Sequence, residues 1–252
     1  MALGVYSAMR TFSHNKFLDL EAHLQRTQTS AALLGWMDEL DEALLRRGLH
    51  EACTHYPLAD ARVRFDFLAS PPRHLGTDSR LMIALIPFSA PSREMYERGV
   101  RVAFAPDLSR HTPLAKTADF AKARSKYAVG GEIYEYLLVG EQGEILEGTG
   151  TNFYAVLNGV FYTAGEGVLV GITRKIILDL AEDLKIPVRF EPITVAQISE
   201  LSEAAISSSS RALLPVVQIG EQVVGNGRPG PICQQILIAY NAFVDHAVKT
   251  AV

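Results

Sequence analysis

The sequence predicts an α/β protein with two domains. Charged and apolar residues alternate along 61–68, as they do in a half-buried strand. Segments with helical spacing of apolar residues stand before and after such strand patterns. A polar stretch at 106–113 separates an N-terminal part from a C-terminal part, and each part contains both kinds of pattern. We therefore expect a smaller domain at 1–108, a connector at 109–115 and a larger domain at 116–252.

The N-terminal part alternates predicted strands and helices. Asp19 is a suitable N-cap for the first helix, and Gly35 is a suitable end. The apolar stripe of this helix is Leu20, Leu24, Thr27, Ala31 and Leu34. The other elements expected here are strands at 5–12, 61–68, 81–87 and 100–104, a second helix at 37–50 and a short helix at 94–98.

The C-terminal part contains the clearest turn signal. Asn158-Gly159 separates two apolar runs, which predicts a tight β-hairpin. A second turn, Gly140 to Gly143, follows a strand pattern at 137–139. The remaining predictions are a helical segment after Lys116, a helix from Gly171, strands near Val188 and Val216, and a final helix that carries Ile236, Tyr240, Phe243 and Val244.

Composition and charge argue against several classes of protein. The 252 residues carry a formal net charge of -4 and no Lys/Arg run, so we expect neither nucleic acid nor a membrane surface as a partner. No apolar stretch is long enough to span a bilayer, and the N-terminus lacks the pattern of a signal peptide. Cys53 and Cys233 are far apart and lack metal-ligand spacing, and no Gly-x-Ser-x-Gly elbow or His pair occurs. We expect a cytoplasmic protein without a metal site.

The stretch around Glu147 is the most informative segment of the chain. It places one carboxylate after the apolar residues Ile145 and Leu146, and then a run of small or polar residues before the next apolar run. This pattern is typical of a carboxylate at the end of a strand, and such a carboxylate usually has a partner of opposite charge.

Two later segments predict anion binding. Gly171 lies at the start of a helical pattern, where free N–H groups and the positive end of the helix dipole favour a phosphate. Ser207 to Arg211 follows a short apolar run, and its hydroxyls and guanidinium supply further donors. A helix cap and an ordinary serine loop would look the same in isolation.

Taken in order, these segments resemble the fold-type-IV pyridoxal-phosphate enzymes, a family that includes branched-chain aminotransferases, D-amino acid aminotransferases and aminodeoxychorismate lyases. The matching stretches are His23-Leu24-Gln25-Arg26, Lys116-x-x-Asp119-Phe120, Glu147-Gly148-Thr149-x-Thr151-Asn152-Phe153, Gly171-Ile172-Thr173-Arg174 and Ser208-Ser209 with Pro215-Val216 beyond. The resemblance implies a larger C-terminal domain with a mixed, barrel-like sheet, a pyridoxal 5'-phosphate cofactor and a homodimer.

The resemblance also implies roles for individual residues. Lys116 would form the internal aldimine with the cofactor, although Lys122 and Lys126 are close competitors in sequence. Arg110, His111 and Arg124 are cations near Lys116 in sequence that would favour its neutral amine. The remaining roles are Glu147 at the pyridine nitrogen, Leu169 against the ring, Arg26, Ile172, Thr173 and Ser209 around the phosphate, and Tyr6 in the substrate pocket. Arg211 departs from the family pattern and is a candidate for binding the substrate carboxylate.

The expected function is therefore transfer of an amino group from a small amino acid, branched-chain-like or D-, to a 2-oxo acid. An aminodeoxychorismate lyase that releases pyruvate and 4-aminobenzoate is the alternative, and a non-catalytic family member is a third possibility. The arginines that bind substrate carboxylate in D-amino acid aminotransferases have no clear counterparts here, so the substrate class stays open at this stage.

Overall fold

The computed structural model describes residues 3–127 and 132–251. The chain folds into two compact units. The first, called here the N-terminal unit, consists of Met1–Ser89, Leu114–Ala123 and Val244–Val252, and the second, called here the larger unit, consists of Ala90–Pro113 and Arg124–Phe243.

Strands and helices alternate along the described chain. The strands are β1 Gly4–Arg10, β2 Lys16–Leu18, β3 Ala61–Leu68, β4 Leu81–Pro87, β5 Val100–Phe104, β6 Glu135–Val139, β7 Ile145–Gly148, β8 Asn152–Leu157, β9 Val160–Tyr162, β10 Val188–Arg189, β11 Glu203–Ser208, β12 Ala212–Ile219, β13 Gln222–Val223 and β14 Val248–Thr250. The helices are α1 Leu20–Leu33, α2 Glu42–His55, α3 Pro72–Leu75, α4 Arg93–Arg98, α5 Ala118–Ala123, α6 Ile172–Asp183 and α7 Pro231–Ala247.

The N-terminal unit is built on an antiparallel sheet in the order β1-β3-β4. Because successive side chains of a strand point to opposite faces, Val63, Phe65 and Phe67 of β3 share one face, and all three are buried. They pack in one apolar core with Leu24 of α1 and Leu49 of α2. The alternation of apolar and charged residues along β3 therefore arises because one face of the sheet packs against the helices α1 and α2.

The start of α1 follows from its cap, as the sequence predicts. The side chain of Asp19 accepts a hydrogen bond from the Ala22 N–H at 3.2 Å, and Asp19 has a φ of 50°. The prediction for α2 was wrong at both ends, because it placed the helix at 37–50 rather than at Glu42–His55. Met37 is 93% exposed, and the helix begins only after Asp41, whose side chain accepts from the Leu44 N–H at 2.9 Å.

The larger unit is built on a nine-stranded mixed sheet. Six of its strands, in the order β8-β11-β12-β5-β6-β7, form a closed ring because β7 also pairs with β8. The apolar core includes Leu137, Phe153, Ile206 and Leu214 from four of these strands. This is the α/β fold with a barrel-like sheet that was predicted.

The predicted hairpin is present. β8 and β9 are antiparallel, with Leu157 opposite Val160, and the connecting residues Asn158 and Gly159 have φ angles of 52° and 76°. Positive φ at both central residues defines the type I′ turn that Asn-Gly favours.

No helix among the described residues is long and apolar enough to cross a membrane. The predicted domain limits 1–108, 109–115 and 116–252 divide the chain into contiguous pieces, whereas the two compact units are each assembled from separate segments. The domain limits derived from the sequence therefore stay a prediction.

Candidate active site

The predicted site residues divide between the two units. Tyr6, Arg26 and Lys116 belong to the N-terminal unit, and Glu147, Leu169, Ile172, Thr173, Ser209 and Arg211 belong to the larger unit. Within each unit, hydrogen bonds join several of these residues to one another or to shared neighbours.

Glu147 lies in β7 of the larger unit and is 2% exposed. Its Oε1 accepts a hydrogen bond from Arg110 Nε at 2.7 Å, so a buried guanidinium compensates the buried carboxylate. Its Oε2 accepts from the Leu169 N–H at 3.1 Å. The buried carboxylate is thus paired with a guanidinium of the protein itself, and its predicted place at a pyridine nitrogen stays a prediction.

Asn152 connects Glu147 to the entrance of α6. Its Nδ2 donates to the Leu169 carbonyl at 2.8 Å and lies 3.5 Å from Glu147 Oε2. On the other side, a Cβ atom on Gly171 would overlap Asn152 Oδ1. Glycine at residue 171 therefore lets the helix entrance approach the asparagine this closely, and any larger residue would require Asn152 or the first turn of α6 to shift.

The N-terminus of α6 is suited to an anion. Gly171 is the N-cap, and within the described residues no side chain caps it. The first N–H groups of a helix have no intrahelical partners and lie at the positive end of the helix dipole. Ile172 and Thr173, both buried, open this first turn, as the sequence predicts.

Arg174 adds a buried cation to the same turn. Its Nη2 donates to the Ala164 carbonyl at 2.7 Å. Burial lowers the pKa of Arg174, while the neighbouring Tyr154 and Glu147 act in the opposite direction. Arg174 is the third residue of α6, so its positive charge adds to that of the helix N-terminus.

The serine segment forms the turn between β11 and β12. The Arg211 N–H donates to the Ser208 carbonyl at 3.0 Å, and Ser209 is half-buried within the turn. Just before the turn, Ser207 is paired with Asn152 across β11 and β8. The Ser207 hydroxyl is 2.8 Å from the hydroxyl of Tyr154, whose pKa burial raises strongly. The serine turn and the α6 entrance are thus anchored on the same end of β8.

Arg211 is engaged by a buried carboxylate. Its Nη1 donates to Glu135 Oε2 at 3.4 Å, and the guanidinium lies 5.3 Å from the centre of the Tyr134 ring. The Arg211 side chain is 19% exposed. Its role as a substrate-carboxylate binder stays a prediction.

Lys116 is tied by its backbone to two elements of the N-terminal unit. Its N–H donates to Ser30 Oγ at 3.1 Å, and its carbonyl accepts from the Tyr6 N–H at 3.0 Å. Its Nζ lies 4.9 Å from the centre of the Tyr6 ring, and the Arg64 guanidinium lies 4.1 Å from the same centre. The Lys116 amine and the Arg64 guanidinium therefore both lie within cation–π distance of the Tyr6 ring.

Arg26 projects from α1 toward β1. Its Nη2 donates to Ser7 Oγ at 2.8 Å, and that oxygen is 2.7 Å from Nδ1 of His23. Ser7 and His23 are both buried. Burial lowers the pKa of His23 well below 6.5, and the charges of Arg26 and Lys116 lower it further.

Sequence reasoning assigned no role to Asn152 or Ser7 and gave Arg110 a different one. Asn152 stands inside the Glu147 motif, so its polar side chain next to an apolar run was the available signal. Arg110 was expected to act on Lys116, whereas in the structure it forms an ion pair with Glu147. Arg110 and Glu147 are 37 positions apart in the chain, so no local pattern predicts this pair.

Residues 4–219 match the profile of the amino-transferase class IV family. Since this match covers most of the chain, the protein belongs to that family. The predicted resemblance is therefore confirmed at the level of the family.

Individual relatives agree with this assignment. The D-alanine aminotransferase of Staphylococcus haemolyticus is 36% identical over 103 residues, which are 40% of this chain and 36% of that protein. The chain thus matches only about a third of the length of this relative. The D-alanine aminotransferase of Bacillus licheniformis is 26% identical over 257 residues, covering 98% of this chain and 90% of that protein.

A solved structure shares the fold over nearly the whole chain. The branched-chain amino acid aminotransferase of T.th., solved with pyridoxamine 5'-phosphate, has a TM-score of 0.83 and 21% sequence identity. The comparison covers 99% of this chain and 90% of the other.

Proposed function

We propose that the protein is a pyridoxal-phosphate-dependent aminotransferase that moves an amino group from a small amino acid to a 2-oxo acid. The observation that carries this proposal is the buried Glu147–Arg110 pair, placed by Asn152 beside the entrance of α6. A carboxylate held this way suits a pyridine nitrogen that must stay protonated, and the helix entrance suits a phosphate.

The larger unit offers a donor set that fits the phosphate of the cofactor. At the α6 entrance, Ile172 and Thr173 would donate their N–H groups, and Thr173 would add its hydroxyl. Ser209 would contribute its hydroxyl and N–H from the turn that starts next to Asn152. Leu169 would pack against the ring, since its N–H is already bonded to Glu147.

In the N-terminal unit, Lys116 would bind the cofactor covalently through Nζ, and Arg26 would donate to the phosphate. The bound cofactor supplies the electron-accepting ring, and the protein positions the reacting groups. Once the substrate amine displaces it, Lys116 Nζ would remove the proton of the substrate α-carbon. Tyr6 lies directly beside this amine and would form part of the substrate pocket.

The names of the relatives restrict the substrates to be tested. D-Alanine is the amino donor suggested by the two relatives, and L-leucine or L-valine is suggested by the branched-chain enzyme. We also propose a homodimer in the cytoplasm, which size-exclusion chromatography with light scattering and cell fractionation would test.

The first experiment identifies the cofactor and the lysine. We expect the purified chain to gain visible absorbance with pyridoxal 5'-phosphate, and borohydride to fix the label on Lys116 in peptide maps. Lys122→Arg, in the exposed part of α5, should still be labelled, whereas Lys116→Arg should not. A chain that stays colourless with excess cofactor, or a label on Lys122, would contradict the assignment.

The second experiment identifies the reaction. Amino donors that bleach the absorbance, with recovery on addition of pyruvate or 2-oxoglutarate, indicate an aminotransferase. D-Alanine, L-leucine and L-valine at equal concentrations would rank the two donor classes. Release of pyruvate from aminodeoxychorismate without any 2-oxo acid requirement would instead indicate the lyase.

A further inference from the structure

The N-terminal unit contains a buried polar chain that leads to Arg26. Nη2 of Arg26, Oγ of Ser7 and Nδ1 of His23 follow one another at 2.8 and 2.7 Å. Ser7 is 0% exposed and His23 is 1% exposed, so water does not replace these contacts. Polar groups buried to this degree cost free energy unless each is hydrogen-bonded.

The direction of the hydrogen bonds follows from the donors. A guanidinium only donates, so Ser7 Oγ accepts from Arg26. The Ser7 hydroxyl then has its own hydrogen to give, and Nδ1 of His23 is in position to accept it. The Ser7 hydroxyl then both accepts and donates, and Nδ1 of His23 accepts, when His23 is neutral and carries its hydrogen on Nε2.

The charges near His23 favour the same state. The imidazole is packed close enough to Arg26 and Lys116 that both cations disfavour a third positive charge, and burial disfavours it more strongly. A neutral His23 keeps an acceptor lone pair on Nδ1, and this lone pair fixes the rotation of the Ser7 hydroxyl. The lone pair of Ser7 that faces Arg26 is thereby fixed as well.

The backbone of α1 links the same turn to Lys116. Ser30 Oγ donates to the Arg26 carbonyl at 2.7 Å and accepts from the Lys116 N–H at 3.1 Å. The helix turn that carries Arg26 therefore also holds the backbone of residue 116. A small shift of Arg26 is restrained both by its side chain and by its main chain.

We propose that Ser7 and neutral His23 form a positioning pair that fixes the Arg26 guanidinium in the orientation needed to bind the phosphate of the cofactor. Neither residue touches the cofactor in this proposal, and both act through Arg26. The inference rests on the proposed function, because it takes Arg26 as a phosphate ligand.

The test compares two ligands that differ only in the phosphate. Dissociation constants for pyridoxal 5'-phosphate and for pyridoxal are measured by absorbance on the apoprotein. Ser7→Ala and His23→Leu should raise the dissociation constant of pyridoxal 5'-phosphate about 10-fold, equivalent to about 1.4 kcal/mol. The dissociation constant of pyridoxal should change by no more than about 2-fold. His23→Asn places an amide oxygen near the position of Nδ1 and should restore most of the affinity.

A matched control separates positioning from general loss of stability. Thr27→Val removes another buried hydroxyl of α1, one that donates to the His23 carbonyl at 2.9 Å rather than toward Arg26. It should leave both dissociation constants unchanged. Equal weakening of the two ligands by Ser7→Ala, or no weakening at all, would overturn the proposal.

The Arg26→Ala variant distinguishes this inference from the proposed function. If Arg26→Ala does not weaken the binding of pyridoxal 5'-phosphate more than the binding of pyridoxal, the assignment of Arg26 to the phosphate fails. If it does, while Ser7→Ala has no effect, only the positioning pair is refuted. In the Arg26→Ala background, Ser7→Ala should cause no further loss, and this double-mutant result decides the matter even if His23→Leu fails to fold.

Discussion

Glu147 and Arg110 form a buried ion pair whose net contribution to stability is expected to be small. Both side chains are nearly inaccessible, at 2% and 7% exposure, so both charges lose their hydration. Their attraction roughly offsets that loss, and a well-packed apolar pair is often as stable. A charged pair at this place in β7 is therefore consistent with the proposed role of Glu147 as the partner of the pyridine nitrogen.

The proposed role of Glu147 leads to a prediction about turnover. In Glu147→Gln the amide no longer carries the charge that holds a proton on the pyridine nitrogen. We expect kcat to fall about 100-fold, as for loss of one preorganised electrostatic contact, with cofactor binding much less affected. Steady-state assays and cofactor titration measure the two effects, and Glu141→Gln in the exposed turn is the control. Near-normal turnover would refute the role.

His23 gives the stability of the protein a dependence on pH. Its pKa in the folded chain lies well below the ordinary 6.5, so below 6.5 the unfolded chain binds a proton that the folded chain does not. The free energy of unfolding should therefore fall as pH decreases from 6.5, by at most about 1.4 kcal/mol per pH unit, and be unaffected above it. Urea unfolding at a series of pH values from about 7.5 to about 5 measures this change in the free energy of unfolding. The slope attributable to His23 should be absent in His23→Asn, and equal slopes in both proteins would count against it.

At the scale of single residues, sequence identified Glu147 but not its partner. The motif around Glu147 is local, so its pattern is visible in a short window. The Arg110 side chain reaches it only because the fold brings two distant segments of the larger unit together. The same holds for Ser7 and His23, which lie 16 residues apart and meet only when α1 packs on β1.

At the scale of elements, the entrance of α6 depends on one glycine. The φ of Gly171 is -71°, a value that any residue adopts, so the need for glycine comes from space and not from backbone conformation. The space is taken by the side chain of Asn152.

Gly171→Ala should displace Asn152 or the first turn of α6. We expect a loss of stability of about 1–3 kcal/mol, typical of overpacking, and weaker binding of pyridoxal 5'-phosphate. Combining it with Asn152→Ala should cost less than the sum of the single changes, because the second substitution makes room for the added methyl. Urea unfolding of the three variants measures this coupling. Strict additivity would show that the two residues do not conflict.

Elements with local signals were predicted well, and elements defined by distant partners were not. Asp19 caps α1 and Asn158-Gly159 turns the β8–β9 hairpin, because side-chain and backbone chemistry act there within a few residues. The start of α2 was misplaced because Asp41 is one of several acidic residues that resemble caps. β14 was missed altogether, since it is a strand only through pairing with β2, from Lys16 to Leu18.

At the scale of the molecule, the sequence predicts most strands of the larger unit, but it predicts neither β11 and β13 nor the order of the strands. β5 and β12 are parallel neighbours more than a hundred residues apart in the chain, with Val100 opposite Val216. Closing the ring through β7 and β8 requires the Glu147–Asn152 pairing, which lies inside the motif itself. The segment that contains Glu147 and Asn152 thus also provides the pairing that closes the barrel-like sheet.

Because the proposed ligands of the cofactor are formed only when the chain is folded, cofactor binding should raise the stability of the whole protein. A ligand at about 100 times its dissociation constant stabilises the folded state by about 2.7 kcal/mol. For a chain of this length about 1 kcal/mol raises Tm by roughly 2–4 °C, so pyridoxal 5'-phosphate should raise Tm by about 5–10 °C. Scanning calorimetry with and without the cofactor measures the shift. Lys122→Ala should retain it, and Lys116→Ala should lose most of it, because only the phosphate and ring contacts remain. An unchanged Tm at saturating cofactor would contradict a site assembled by folding.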